Sequence, residues 1–271
     1  MKSVLLHIHQ DSGQESRLAS AIEIVRANAG HLICLQATPL DAYFFVGDPF
    51  GSAYVSSGIF QTFRENERLE QVRIEALLEN ESIAWEWRHA EGSAAQTIAE
   101  HAKLADLVVL SLPEHEETIL LRRAPLAADV AVHIQSPTLV VPPGDKALDH
   151  RGPVMIAWNV SAEAAHAVRL SLPLLKDAAA VHIVSVGEDN KPSSSADVQR
   201  YLTQHDIQAK VHERSRGDGS IAEALIAACA DLQAGYIVLG AYGHSRIRET
   251  VLGGVTHNLI NSSPVPLLLA H

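Results

Sequence analysis

Short apolar runs alternate with longer segments of helical period along the chain. In the second half, the apolar runs predict strands and the segments between them predict helices. The strands are expected near 153–159, 180–186, 208–214, 235–240 and 265–270, and the helices near 161–176, 195–205, 220–231 and 253–262. Such alternation is typical of a parallel sheet with helices on both faces. The apolar runs are continuous, which fits strands buried on both sides.

The two halves of the chain resemble each other in sequence. The matching segments, given as first half and second half, are 4–9 and 154–159, 91–93 and 218–220, 105–110 and 234–239, and 136–137 and 263–264. Four matches in one order indicate a duplicated domain. A polar stretch with Pro and Gly at 142–153 separates the copies, so we predict domains at 1–144 and 152–271. Each copy ends in an apolar strand whose outer edge would lie open, so 138–141 is expected to pair with 265–270.

A glycine-rich segment follows the fourth predicted strand of the second half. Gly240 ends the strand, Gly243 follows it, and residues 253–256 (Gly-Gly-Val-Thr) open the next helix. Glycines let a backbone pass close to a ligand, and the free N–H groups and dipole of a helix start favour an anion. Ligands of such folds bind beyond the carboxyl ends of the strands, where Asn159 would join these glycines. The segment predicts a nucleotide site; glycines that merely turn the chain are the alternative.

The first half differs in two ways at the corresponding positions. Its fourth strand is followed by Ser111 and then by Glu114, Glu116 and Glu117, whose carboxylates would repel phosphate. It also carries an aromatic insert near 39–63, which contains all five Phe of the chain. We predict that residues 43–60 cover the cleft of their own domain or contact a protein partner or a second copy.

Charge and composition exclude several classes of protein. The formal net charge of −11 opposes a nucleic-acid or anionic-membrane partner. No apolar run approaches the roughly 20 residues of a membrane helix, and the N-terminal segment has no signal-peptide cleavage site. Cys34 and Cys229 are the only cysteines, too few and too far apart for a disulfide framework. We therefore expect a cytoplasmic protein with two thiols in its core.

Together these features resemble the universal stress protein family, in its tandem two-domain bacterial form. The family motif is Gly, two residues, Gly, nine residues, Gly and then Ser or Thr. Gly240, Gly243 and Gly253 match it, Gly254 stands at the Ser/Thr position, and Thr256 supplies the next hydroxyl. The resemblance covers essentially the whole chain. It implies an α/β fold with two Rossmann-like domains, each a five-stranded parallel sheet with helices on both faces.

The resemblance also implies a ligand, because some members of the family bind ATP. In those members an acidic residue follows the first strand, where this chain has Asn159 in the second half and Asp11 in the first. Asn can hydrogen-bond a ribose or a base but cannot hold a metal as a carboxylate does. The usual Gly after this position is Val160. We expect ATP or a related adenine nucleotide, with or without Mg, in the second half only, at Asn159, Gly240, Gly243, Gly253, Gly254, Val255 and Thr256.

The resemblance implies a stress-response protein that acts in signalling or protection. Its enzymatic activity, if it has one, would be at most slow ATP hydrolysis. The resemblance also implies a dimeric arrangement. No catalytic constellation is evident in the sequence. One alternative is an interaction protein without a nucleotide, whose degenerate sites serve only the fold. A third class is a serine hydrolase, because Ser245 lies in a segment similar to a nucleophile elbow; only Glu249 and His257 follow it, too close for the usual triad.

Two histidines near the N-terminus raise the question of a metal site. His7 and His9 share one face of the first strand, and Asp11 would join them if the strand continued. No Cys or third His follows at ligand spacing, so we interpret them as packed or cleft-lining side chains rather than metal ligands.

Overall fold

The computed structural model describes residues 1–38, 57–113, 125–144, 147–187, 195–241 and 254–271. In the range 57–113, side chains are described from residue 61 onward. The first half contains β1 (Ser3–Ile8), α1 (Gln14–Ala27), β2 (His31–Thr38), α2 (Ser57–Leu78), β3 (Ala84–Glu91), α3 (Ala94–His101), a 3-10 turn (Ala102–Leu104), β4 (Leu107–Ser111), α4 (Leu126–His133) and β5 (Thr138–Val141). The second half contains β6 (Val154–Ala157), α5 (Ala162–Leu175), β7 (Val181–Gly187), α6 (Ser195–Gln204), β8 (Ala209–Ser215), α7 (Ile221–Asp231), β9 (Tyr236–Gly240), α8 (Gly254–Ser262) and β10 (Leu267–Ala270).

The strands form one ten-stranded sheet in the order β3-β2-β1-β4-β5-β10-β9-β6-β7-β8. Neighbouring strands are parallel within each half, and β5 pairs with β10 in antiparallel register, Leu139 opposite Leu268. The predicted pairing of the two final strands is therefore confirmed. The same strand order on each side of this seam also confirms the α/β fold with helices on both faces; the domain limits 1–144 and 152–271 stay a prediction.

The two halves share the same strand register as well as the same order. Val4 lies opposite Leu32 and Leu107, and Val154 lies opposite Val181 and Tyr236. Residues 4–9 therefore correspond structurally to 154–159, as the sequence match indicates. This correspondence lets each position of one half be compared with its counterpart in the other.

The core consists of two apolar layers, one on each face of the sheet. Alternate residues of a strand enter opposite layers, so Leu6 packs with α1 and Leu5 with α3 and α4. Each layer includes residues of both halves, and Leu139 and Leu268 at the seam are 0% and 1% exposed. Burying such a side chain contributes on the order of 2 kcal/mol, so the seam joins the halves through the core as well as through backbone hydrogen bonds.

Local sequence signals explain where two second-half helices begin. Ser161 caps α5 by accepting a hydrogen bond from the backbone N–H of Ala164 at 3.0 Å. Ser220 and Glu223 form a reciprocal capping box at the start of α7. Both caps satisfy N–H groups that would otherwise lack partners in the first helical turn.

The two cysteines lie in the core of the molecule. Both cysteines are buried, and burial raises the pKa of Cys34 to about 12 and that of Cys229 to about 11, which fits inert core thiols. In the described ranges, no helix is long and apolar enough to cross a membrane. Most of the aromatic insert, residues 39–56, lies outside the described residues, so its predicted role stays a prediction.

Candidate functional site

A cavity of about 130 Å³ lies at the carboxyl ends of β6, β7 and β9. It is lined by Ala157, Trp158, Asn159, Val184, Val186, Ile221, Leu225, Leu239, Gly240, Val255 and Thr256. The strand ends form its base, and α7 and the first turn of α8 form its walls. Ligands of parallel α/β folds bind in this position, since the carboxyl ends of the strands meet the amino ends of the helices there.

The structure brings four of the sequence-predicted site residues together in this cavity. Asn159 comes from the turn after β6, Gly240 from the end of β9, and Val255 and Thr256 from α8. Gly254 is the first residue of α8, and no described atom lies within 4 Å of the position that its Cβ would occupy. Gly243 and Gly253 lie outside the described residues.

Gly240 is required by a close approach between β9 and α5. A Cβ at this position would lie 2.4 Å from the backbone nitrogen of Ala164 and 2.5 Å from the carbonyl carbon of Glu163. Real Cβ atoms do not approach backbone atoms so closely. Only glycine therefore allows the last residue of β9 to lie against the start of α5. The sequence indicated a glycine that faces a ligand, which stays a prediction; the structure shows that the close approach to α5 requires this glycine.

The turn from β6 into α5 carries an unusual backbone conformation. Val160 has φ of +64°, in the left-handed region that β-branched residues rarely adopt. The side-chain oxygen of Asn159 accepts a hydrogen bond from the N–H of Ser161 at 3.2 Å, which closes this turn. The position where the resemblance implied a Gly therefore has the backbone geometry that favours Gly, although Val occupies it.

The described wall of the cavity is apolar, with few polar groups. None of its lining residues has an ionisable side chain; Asn159 and Thr256 are polar, and the indole N–H of Trp158 is buried without a partner in the described part of the chain. The start of α8 adds backbone N–H groups and the positive end of a helix dipole. Apolar walls with a few directed polar groups are typical of sites for small organic ligands.

The first half has a different arrangement at the end of β1. Both carboxylate oxygens of Asp11 accept hydrogen bonds from Nη1 of Arg17 at 3.0 Å, and Arg17 is 1% exposed. Arg17 also donates from Nη2 to the carbonyl oxygen of His9 at 2.7 Å and to Oε1 of Gln14 at 2.6 Å, and from Nη1 to the hydroxyl of Ser111. Asp11, the acidic residue that the sequence singled out, is therefore engaged by a buried cation.

Sequence reasoning missed Arg17, although a signal was present. Arg17 stands at helical spacing with Ala21 and Ile24, which both lie on the buried face of α1. A charged residue on such a face needs a partner, because an unpaired buried charge is costly. Burial lowers the pKa of Arg17, and the contact with Asp11 raises it.

His7 and His9 lie against each other and, in the described part of the chain, not around a metal-binding centre. The rings of His7 and His9 stack with 5.8 Å between centroids and 8° between planes, while Asp11 contacts Arg17. Across the described residues, no group of three or more His, Cys, Asp or Glu is arranged to hold a metal ion. Ser245 and Glu249 of the hydrolase alternative lie outside the described residues.

Comparison with known proteins gives the relationships of the chain. Residues 151–271 match the model of the universal stress protein family. A universal stress protein from Archaeoglobus fulgidus DSM 4304 is similar in structure, with a TM-score of 0.78 at 17% identity over 99% of this chain and 96% of that one. A candidate universal stress protein from Pseudomonas aeruginosa UCBPP-PA14 gives a TM-score of 0.61 at 16% identity over 100% and 93%. No curated protein sequence matches the chain significantly.

These comparisons agree with the architecture of the molecule. The similarity to the Archaeoglobus protein extends over both halves, so the fold of the whole chain is the Rossmann-like fold of universal stress proteins. The sequence match is confined to the second half, which is also the half that contains the cavity.

Proposed function

We propose, from the premise that residues 151–271 belong to the universal stress protein family, that the chain is a stress-response protein whose C-terminal domain binds an adenine nucleotide. The observation that carries this proposal is the cavity that brings Asn159, Gly240, Val255 and Thr256 together at the carboxyl edge of the sheet. The proposed role is signalling or protective rather than metabolic, and it is supported by the described lining of the cavity, in which no residue is suited to acid–base catalysis.

The shape and polarity of the cavity support an adenine nucleotide. Its apolar walls, with Val184, Val186 and Leu239, suit a flat heterocyclic base. Asn159 lies at the turn where it can hydrogen-bond a ribose or a base edge. The amino end of α8 suits the phosphates, since free N–H groups and the helix dipole favour negative charge there.

The residues also indicate how magnesium would enter the site. Asn159 stands where ATP-binding relatives have a carboxylate, and a neutral amide is a weak ligand for a hard divalent cation. Magnesium commonly binds protein sites through the phosphates of its nucleotide and keeps several waters. We therefore expect Mg to accompany ATP on its phosphates and to contribute little to affinity through Asn159.

The second candidate function is an interaction protein without a nucleotide. It is favoured by the same departures, Asn159 for an acid, Gly254 for a hydroxyl residue and Val160 for a glycine. Under this alternative the sites serve only the fold, and residues 43–60 recruit a protein partner or a second copy of the chain.

Nucleotide release and titration distinguish the two. The purified protein is denatured and the supernatant analysed by mass spectrometry, and the nucleotide-free protein is titrated with ATP, ADP and AMP by calorimetry, with and without Mg. We expect one adenine nucleotide per chain and a modest effect of Mg. If no nucleotide is released and neither ATP, ADP nor AMP gives binding heat, the interaction-protein alternative replaces the proposal.

A further inference from the structure

The first half contains a structural counterpart of the cavity. Because the strand registers of the halves coincide, His7 of β1 corresponds to Ala157 of β6. His7 lies opposite Leu35 of β2, and Ala157 lies opposite Val184 of β7. By the same correspondence, His9 matches Asn159. Ala157 and Val184 line the cavity in the second half, so His7 and Leu35 stand at its place in the first.

The side chains at these positions differ in size. Ala157 extends a single methyl group from the sheet, whereas His7 extends a whole imidazole ring that is buried, with 5% exposure. This ring stacks in nearly parallel orientation on His9. The first-half cleft thus holds a flat nitrogen heterocycle of its own, at the position that is open in the second half.

Arg17 closes the same region from the α1 side. Its guanidinium joins the end of β1, through His9 and Asp11, to the end of β4, through Ser111. The counterpart of Arg17 in α5 is Ala167, and that of Ser111 is Gly240, so the second half has no such cross-link at these positions. The His7 ring and the Arg17 cross-link both fill the cleft of the first half, whereas the corresponding residues of the second half leave its cleft open.

We propose that the first-half cleft is a closed copy of the second-half site, filled by the His7 ring, and that the residue at this position decides which copy accepts a planar nitrogen heterocycle. His7 takes the place of the ligand, and Ala157 leaves room for one. The proposal rests on the proposed function only for the identity of the second-half ligand. The filled first-half cleft also explains how two halves of the same fold can have a ligand site in the second half only.

The test uses His7→Ala in the full chain, with imidazole as the probe at pH 8, where free imidazole is neutral. Removing the ring leaves a cavity, so the melting temperature should fall by about 5–10 °C. Imidazole should then stack on His9 and restore about 3 °C or more, since a ligand that binds only the folded state stabilises it. Adenine is tested in the same way.

Two controls separate this effect from general cavity filling. Leu6→Ala removes a fully buried side chain of the same strand that faces the opposite layer. The space that it leaves lies in the apolar layer on that face, which does not offer the polar nitrogens of imidazole the stacking partner that His9 provides, so no recovery is expected. His7→Ala combined with His9→Ala removes the stacking partner and should abolish the recovery.

The imidazole outcome decides the role of His7 whatever the second half binds. An imidazole response of His7→Ala no greater than that of the parent and Leu6→Ala overturns it. Should His7→Ala be recovered unfolded, refolding from urea with imidazole must raise the folded yield, and an unchanged yield overturns the proposal equally. The reciprocal change, Ala157→His, should keep the protein folded and weaken adenine nucleotide binding at least tenfold; normal nucleotide affinity in that variant contradicts the role of this position.

Discussion

Gly13 and Ser111 approach so closely that a Cβ on Gly13 would lie 2.3 Å from the hydroxyl oxygen of Ser111. The corresponding pair in the second half is Glu163 and Gly240, where a Cβ on Gly240 would lie 2.8 Å from the Cβ of Glu163. The same approach of a helix start to a strand end therefore occurs in both halves. The glycine lies on the helix side in the first half and on the strand side in the second.

This relationship predicts a compensating pair of substitutions. Gly13 has φ of −92°, which any residue can adopt, so Gly13→Ala should destabilise only through its contact with Ser111. We expect a loss of about 1–3 kcal/mol in the parent, as for overpacked sites, and a clearly smaller loss when Ser111→Gly is also present. Urea unfolding of the four proteins of this cycle gives the coupling energy. Equal losses in both backgrounds would show that the contact carries no energy.

Val160→Gly should make the protein more stable. Left-handed backbone costs a residue with a Cβ about 1–2 kcal/mol, and Val160 is exposed, so little packing is lost with its side chain. The greater freedom of Gly in the unfolded chain offsets part of this gain, which leaves about 1 kcal/mol. Val160→Ala keeps its Cβ and is the control, with a smaller gain expected. A less stable Val160→Gly variant would contradict this interpretation of the turn.

Gly254 offers a charge test of the proposed phosphate site. Gly254→Asp meets no described atom and places an acid in the first turn of α8, where it favours the helix. The fold should persist while the carboxylate repels phosphate, so we expect at least a tenfold loss of ATP affinity in calorimetry. Gly254→Ser restores the hydroxyl of the family motif and should tighten binding. If the Asp variant binds ATP as the parent does, the phosphates do not lie at the start of α8.

Stability should fall in mild acid because of His7. Burial, and then the neighbouring Arg17 and His9, hold the pKa of His7 well below its usual 6.5. Well above pH 6.5 the ring is neutral in both states, so its titration leaves the free energy of unfolding unaffected. As pH falls from 6.5 towards the folded-state pKa, His7 becomes protonated in the unfolded chain but stays neutral in the folded one. The free energy of unfolding then drops by up to about 1.4 kcal/mol per pH unit.

Denaturant unfolding between about pH 8 and pH 5 measures this slope. His7→Gln should reduce this slope by up to about 1.4 kcal/mol per pH unit, the contribution of one proton. Lowered pKa values of His182 and His212, both caused first by burial, add to the parent slope and remain in the variant. An identical slope in His7→Gln and the parent would mean that other groups account for the acid loss.

The β5–β10 seam predicts how a single half behaves. A protein of residues 152–271 alone would expose the edge of β10, which is paired with β5 in the full chain. Open, apolar strand edges recruit other strands, so this half should self-associate, while the full chain at equal concentration should not do so through this edge. Light scattering of both proteins is the measurement. A monomeric half with the thermal stability of the full chain would show that the halves are independent and the seam is incidental.

Much of the architecture follows from the sequence by itself. Continuous apolar runs and helical spacing encode local conformation and the side of burial, and the repeated segments give the duplication. This is why the second-half elements occur close to their predicted limits, and why Asn159, Gly240, Val255 and Thr256 could be expected at one edge of the sheet. Residues that follow successive parallel strands must meet there, whatever the details of packing.

The tertiary structure decided what periodicity does not encode. The hydrogen bond from Arg17 to Ser111 joins elements 94 residues apart in the chain. The contact of Arg17 with Asp11 and the stacking of His7 on His9 are local in sequence, but they depend on how the end of β1 packs against α1 and the sheet. The left-handed turn at Val160 likewise could not be read from the residue itself, since β-branched residues rarely adopt this conformation. Local sequence sets which groups are available, whereas packing sets which of them meet, and that difference separates the closed half of this protein from the open one.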